Sequence, residues 1–102
     1  MEDNIELIVT SIKELTKKRR LVYINYEPAF ALYAAELRKF GIKDGESVRK
    51  EAYDSLIDDV LSKRATVRAM ALLKNKDYTR KGLEDKLRAG YYPDTCTDYA
   101  LE

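Results

Sequence analysis

Apolar positions recur at two different periods along the chain. Ile5 to Ile12 is rich in Ile, Leu and Val, and Leu21-Val22-Tyr23-Ile24-Asn25-Tyr26 is β-branched and aromatic. Such runs predict strands. Glu14 to Arg20 lies between them as a hairpin connection tipped by Lys17-Lys18-Arg19-Arg20. Glu27-Pro28 breaks the second run, because proline cannot donate to a ladder. Ala29-Phe30-Ala31-Leu32 predicts a short third strand, giving an antiparallel meander. Tyr33 to Phe40 then reads as a helix, with Gly41 suited to the left-handed position after its end and Ile42 packing back on the last turn. Asp44-Gly45 is a turn signal. Val48 falls in a short final strand or an extended link.

The period then changes. Tyr53, Leu56, Ile57, Val60 and Leu61 follow i, i+3, i+4, i+7 spacing, and Ala65, Ala69, Leu72 and Leu73 continue the stripe. No Gly or Pro lies between Glu46 and Lys81, so one long helix and two abutting ones both fit. Thr79 is an N-cap type, Leu83 and Leu87 form the next stripe, and Gly90 closes it. Pro93 suits the first turn of a last helix holding Tyr99, Ala100 and Leu101. That helix stops at Glu102 after barely two turns, and the natural chain is expected to continue. The expected class is α+β. A small antiparallel β meander with a short helix occupies residues 1–50, and a three-helix unit truncated at its C-terminus occupies 51–102.

Composition narrows the chemistry. In 102 residues, 19 Lys and Arg face 18 Asp and Glu, a net charge of +1 that gives no global signal for nucleic acid. There is no histidine, which removes the commonest general base and metal ligand. A single cysteine, Cys96, allows no internal disulfide and fits a cytoplasmic protein. No apolar run spans a bilayer, and the acidic start Met1-Glu2-Asp3-Asn4 lacks the basic start and apolar stretch of a signal peptide. Asp54, Asp58 and Asp59 put carboxylates on one side of a helix at a spacing that could hold Mg²⁺, but nothing else supports a metal site, and solvation of a polar helix face is the expected reading. Cys96 has no histidine to act as its base and reads as a half-buried small apolar residue. No catalytic, metal or cofactor site is expected. Tyr23 and Tyr26 read as core or sheet-face residues, and Tyr91-Tyr92 as packing between helices.

The order of these pieces resembles a known family. Met70-Ala71-Leu72-Leu73-Lys74, Lys76-Asp77-Tyr78-Thr79, Leu83-Glu84-Asp85-Lys86-Leu87, then Gly90-Tyr91 and Pro93 resemble the first three-helix repeat of the RecX family. These are bacterial regulators of the RecA recombinase. The strand, basic hairpin, Ala29-Phe30-Ala31 and Phe40-Gly41-Ile42-Lys43-Asp44-Gly45 resemble the β-rich segment that some members carry ahead of their repeats. Gly82 departs from the pattern, standing where a Glu or Gln usually closes a capping box with Thr79. Only one of the family's three repeats is present.

The resemblance implies a non-catalytic regulator, without a cofactor, that binds RecA and the RecA–DNA filament and modulates recombination and SOS activity, inhibition being the expected direction. Single-stranded DNA inside the filament is then a further partner. Residues 63–88 hold nine basic side chains and three acidic ones. Arg64, Arg68, Arg80, Lys81 and Lys86 are the candidate contacts to RecA or DNA, against the alternative of ordinary solvated helix surface. The basic hairpin tip Lys17–Arg20 could touch a phosphate backbone, but a charged loop that keeps the hairpin soluble is the expected reading. A rival from another class is a helix-turn-helix DNA-binding module. Its reading helix would begin Pro93-Asp94-Thr95-Cys96-Thr97-Asp98, two acids with no Arg or Lys, which opposes phosphate and guanine contacts.

Overall fold

The computed structural model describes residues 6–102; Ile5 and the acidic Met1–Asn4 lie outside the described residues. The class is α+β. Two compact units divide the chain, the first ending at Tyr53 and the second being Asp54–Glu102.

In the first unit, strands β1 (Leu7–Glu14), β2 (Arg19–Ile24), β3 (Glu27–Tyr33) and β4 (Ser47–Val48) form an antiparallel sheet in the order β3-β2-β1-β4. A helix, α1 (Ala34–Lys39), follows β3. Val9, Val22, Phe30, Leu32 and Ile42 are buried. Phe30 meets the Tyr53 ring at 6.1 Å between centroids.

The β2–β3 junction departs from the sequence expectation. The strand ends at Ile24, and Asn25-Tyr26 form the turn, with φ of 52° and 69°. Glu27-Pro28 open the next strand instead of breaking the last one. Proline is tolerated there because β3 is an edge strand. Two left-handed central residues match the twist of a two-residue hairpin, and asparagine supports the geometry through its side chain. Asn25 Oδ1 accepts from the Ile8 amide at 3.1 Å, while its Nδ2 donates to Glu6 O at 3.2 Å. Thr10 Oγ1 accepts from the Tyr26 amide at 2.9 Å. Tyr26, expected in the core or on the sheet, is 85% exposed at this tip.

Helix α1 ends as its glycine predicts. Gly41, at φ 66°, donates to Arg38 O at 3.3 Å, and Ile42 donates to Leu37 O at 2.8 Å. These two bonds are a Schellman closure. Lys43–Ser47 then runs back along β1, where Gly45 donates to Val9 O and Val9 to Glu46 O.

In the second unit, α2 (Lys50–Ser55), which begins in the first, passes into a π-helical segment, Leu56–Leu61, and then α3 (Ser62–Asn75). α4 (Arg80–Ala89) and α5 (Asp94–Ala100) complete the described helices. Leu56, Ile57, Leu61, Ala65, Ala69 and Leu72 are buried as the stripe predicts. Leu73 is instead 48% exposed, because the face of α3 that packs on α4 and α5 is narrow and centres on Ala65 and Ala69. Ala69, Leu72, Leu83 and Leu87 form one cluster, against which Tyr78, Tyr92, Ala100 and Leu101 pack. Pro93 is the N-cap of α5, one position ahead of the expected first turn, and its carbonyl receives the Cys96 and Thr97 amides.

Candidate partner-binding surface

Arg64 and Arg68 stand i, i+4 on α3, so helical period puts them along one flank. Arg68 is exposed, while Arg64 is half-buried and engaged within the protein. On α4 the basic side chains meet acids. Arg80 Nε lies 3.4 Å from Glu84, and Arg80 Nη1 donates to Leu101 O at 3.1 Å. Lys81 Nζ lies 3.2 Å from Asp85. The Lys81–Asp85 pair is exposed, and in the other Arg80 is exposed while Glu84 is half-buried; solvent-facing pairs of this kind contribute only about 0–1 kcal/mol. Lys86 is exposed on the other side of the Leu83–Leu87 stripe from Lys81. The five residues therefore do not converge on one point. They form separate basic positions, two of them already matched by a carboxylate one helical turn away.

Other candidates resolve individually. Arg88 Nε meets Asp94 Oδ1 at 3.0 Å, and this hydrogen-bonded acid raises the guanidinium pKa above its ordinary value. The pair ties the end of α4 to the start of α5 and occupies one of the two acids on the would-be reading helix. Asp59 Oδ2 accepts from Ser55 Oγ at 3.1 Å, and Asp58 and Asp59 are exposed. Among the described residues no group of three or more His, Cys, Asp and Glu is placed to hold a metal.

Cys96 is fully buried, not half-buried. Its Sγ lies 3.6 Å from Ile57 O, whose carbonyl also receives the Ser62 amide at the end of the π-helical segment. Burial pushes the thiol pKa up. A buried, protonated thiol is a poor nucleophile. Tyr91, read from sequence as packing, is 39% exposed, whereas Tyr92 packs on the core cluster.

One surface escaped the sequence reading. Val67, Met70 and Leu73 form an exposed apolar row on α3. It borders a shallow cavity of about 350 Å³ lined by Ala69, Tyr78, Leu83 and Leu101. The signal was present as i, i+3, i+6 spacing, a second stripe beside the buried one. Periodicity alone assigns both stripes to one broad core face.

No protein-family model matches the chain. Over 82 residues, 80% of its length, the chain is 33% identical to the regulatory protein RecX of Caldanaerobacter subterraneus subsp. tengcongensis, and it spans 42% of that relative. A crystal structure of a regulatory protein RecX aligns with 93% of the chain and 47% of its own length, at a TM-score of 0.47 and 18% identity. The resemblance read from the order of motifs thus recurs across four-fifths of the sequence, and the chain is related to the RecX family.

Proposed function

We propose that this chain, kin to the RecX regulatory proteins, serves in a non-catalytic regulator that binds RecA filaments on DNA and lowers their activity in recombination and the SOS response. The observation that carries the reading is the 33% identity to a RecX protein over 80% of the chain. Its extent matters, because the match is far longer than any one motif and takes in residues of both units.

The basic positions of α3 and α4 support a role at a filament groove lined by protein and DNA phosphate. Arg68 and Lys86 are the principal contacts in this reading, being exposed and without an ion pair among the described residues. Arg64, Arg80 and Lys81 contribute after releasing or sharing their present partners.

The test is binding to RecA filaments assembled on single-stranded DNA, beside bare strand at the same salt. The chain and the longer Caldanaerobacter RecX are run together. Preference for the filament by both supports the reading, and Arg68→Glu with Lys86→Glu should weaken the chain's binding about tenfold or more, as loss of charge-assisted contacts does. If neither protein distinguishes filament from bare strand, the reading fails.

A further inference from the structure

Helix α3 leaves an apolar row in solvent that its own packing does not use. Val67 is 66% and Met70 59% exposed, and Leu73 completes the row at i, i+3, i+6 spacing. Single exposed apolar side chains are ordinary, but a contiguous row on a regular element marks a contact surface. The core side of α3 is already supplied by Ala65, Ala69 and Leu72. An exposed helix position is better served by Ala, Glu or Lys than by valine, a poorer helix former. Met70 and Leu73 also wall the shallow groove beside Tyr78, Leu83 and Leu101, so the row leads into a depression.

The charge around the row has one sign. Residues 60–76 hold five basic side chains and no acid. Lys63 stands one turn before Val67 and Lys74 one turn after Met70, both at i, i+4, so they bracket the row on its own side of the helix. Lys63, Arg68 and Lys74 are exposed and without an ion pair among the described residues. At the groove, Lys76 Nζ lies 5.1 Å from the centre of the Tyr78 ring. The acids nearby stand outside the bracket. Asp59 accepts from Ser55 Oγ, Asp77 follows the end of α3, and Glu102 shares the groove wall with Arg80.

We infer that this face of α3 docks an acidic amphipathic helix of a protein partner, whose apolar row covers Val67, Met70 and Leu73 and whose carboxylates reach Lys63 and Lys74. Those two lysines stand about three turns apart, roughly 16 Å along the axis, and the partner's acids match that spacing. A helix laid against an apolar row is a recurring recognition mode, and a methionine in the row adapts to its occupant. A second copy of this chain is a poor occupant. With no acid on α3, either orientation of two such helices sets ammonium against ammonium. A phosphate backbone would leave the aliphatic row uncovered, and the row holds no ring on which a base could stack. A lipid surface rewards a larger apolar area than a row of two turns. The inference does not rest on the filament reading, since Lys63 and Lys74 are not among the positions assigned there.

The experiment is fluorescence anisotropy of a labelled helix-forming peptide titrated with the full chain. The peptide has about sixteen residues, with a two-turn leucine row bracketed by glutamates about three turns apart. One control peptide carries lysine for each glutamate, and another serine for each leucine. The acidic peptide should bind at least about tenfold more tightly than either control, with affinity falling as salt rises. Met70→Gln should weaken it about fivefold or more while leaving the melting temperature essentially unchanged, the site being exposed. K63E/K74E should lose the acidic peptide and gain the lysine one, a reversal that unfolding cannot produce. Equal binding of the acidic and lysine peptides overturns the inference, as does wild-type affinity in Met70→Gln or in K63E/K74E. So does self-association of the chain that Met70→Gln abolishes, or tighter binding to phosphatidylserine vesicles than to the peptide, each of which names another occupant. If the acidic peptide binds while the chain fails to distinguish filament from bare strand, the filament reading falls and this one stands. Filament preference with no peptide binding gives the converse.

Discussion

The two units each close a helix with the same hydrogen-bond pattern but different chemistry. At the end of α1, Gly41 and Ile42 donate to Arg38 O and Leu37 O. At the end of α4, Tyr91 donates to Arg88 O at 2.9 Å and Tyr92 to Leu87 O at 3.3 Å. The left-handed residue is Gly41 at φ 66° in one and Tyr91 at φ 65° in the other. A side chain in that region costs about 1–2 kcal/mol. Gly90, the residue the sequence offers as the terminator, stands one position early at φ −88°. A Cβ there would lie 3.2 Å from the Tyr92 ring, so the glycine makes room for the aromatic that follows. The first closure is dictated by its own backbone. The second is held by packing, because Tyr92 docks on the Leu83–Leu87 cluster.

If packing holds the second closure, removing what it packs on should break it first. Leu87, fully buried, supplies both the accepting carbonyl and part of the cluster. Leu87→Ala should cost about 2–5 kcal/mol, read in urea unfolding, and should release the Tyr91 and Tyr92 amides to hydrogen exchange. An unchanged exchange rate at those two amides would show the turn to be self-supporting.

The converse test lies in the first unit. Gly41→Ala forces a side chain into the left-handed region with nothing nearby to reward it, since no atom lies within 4 Å of the added Cβ. A loss of about 1–2 kcal/mol is expected. Tyr91→Gly then sharpens the contrast. It relieves the same conformational cost while adding chain entropy to the unfolded state, so the net gain should be at most about 1 kcal/mol. Destabilisation by Tyr91→Gly would mean that the half-exposed Tyr91 ring contributes more packing than its backbone costs.

The smallest effect concerns pH and touches only the second unit, where the single cysteine lies. The Cys96 pKa is raised in the folded protein, so between the unfolded and folded values the native state holds a proton that the unfolded chain releases. Its contribution is fully present below the ordinary thiol value of 9.0 and is lost as pH rises through the folded value. Exchange protection of α5 amides should therefore fall above pH 9.0, while that of β2 amides falls less. Cys96→Ala should abolish the difference.

Much of this molecule is written locally. Strand alternation, the Gly41 terminus, the Thr79 N-cap accepting from the Gly82 amide at 3.0 Å and the Leu83–Leu87 stripe each follow from neighbours within a turn or two. The order of these motifs also carried the family resemblance, since order survives where no single motif is specific. What the sequence left open depends on residues far apart. Asn25 and Tyr26 become a turn because Thr10 and Ile8, more than a dozen positions earlier, hold their polar groups. Leu73 and Met70 are exposed because α3 presents only a narrow face to its neighbours. The basic residues of α3 and α4 divide into paired and unpaired because acids one turn away reach some and not others. Periodicity fixes which side of an element a residue occupies; only the assembled fold decides what lies opposite that side, because burial and pairing are properties of the neighbour as much as of the residue.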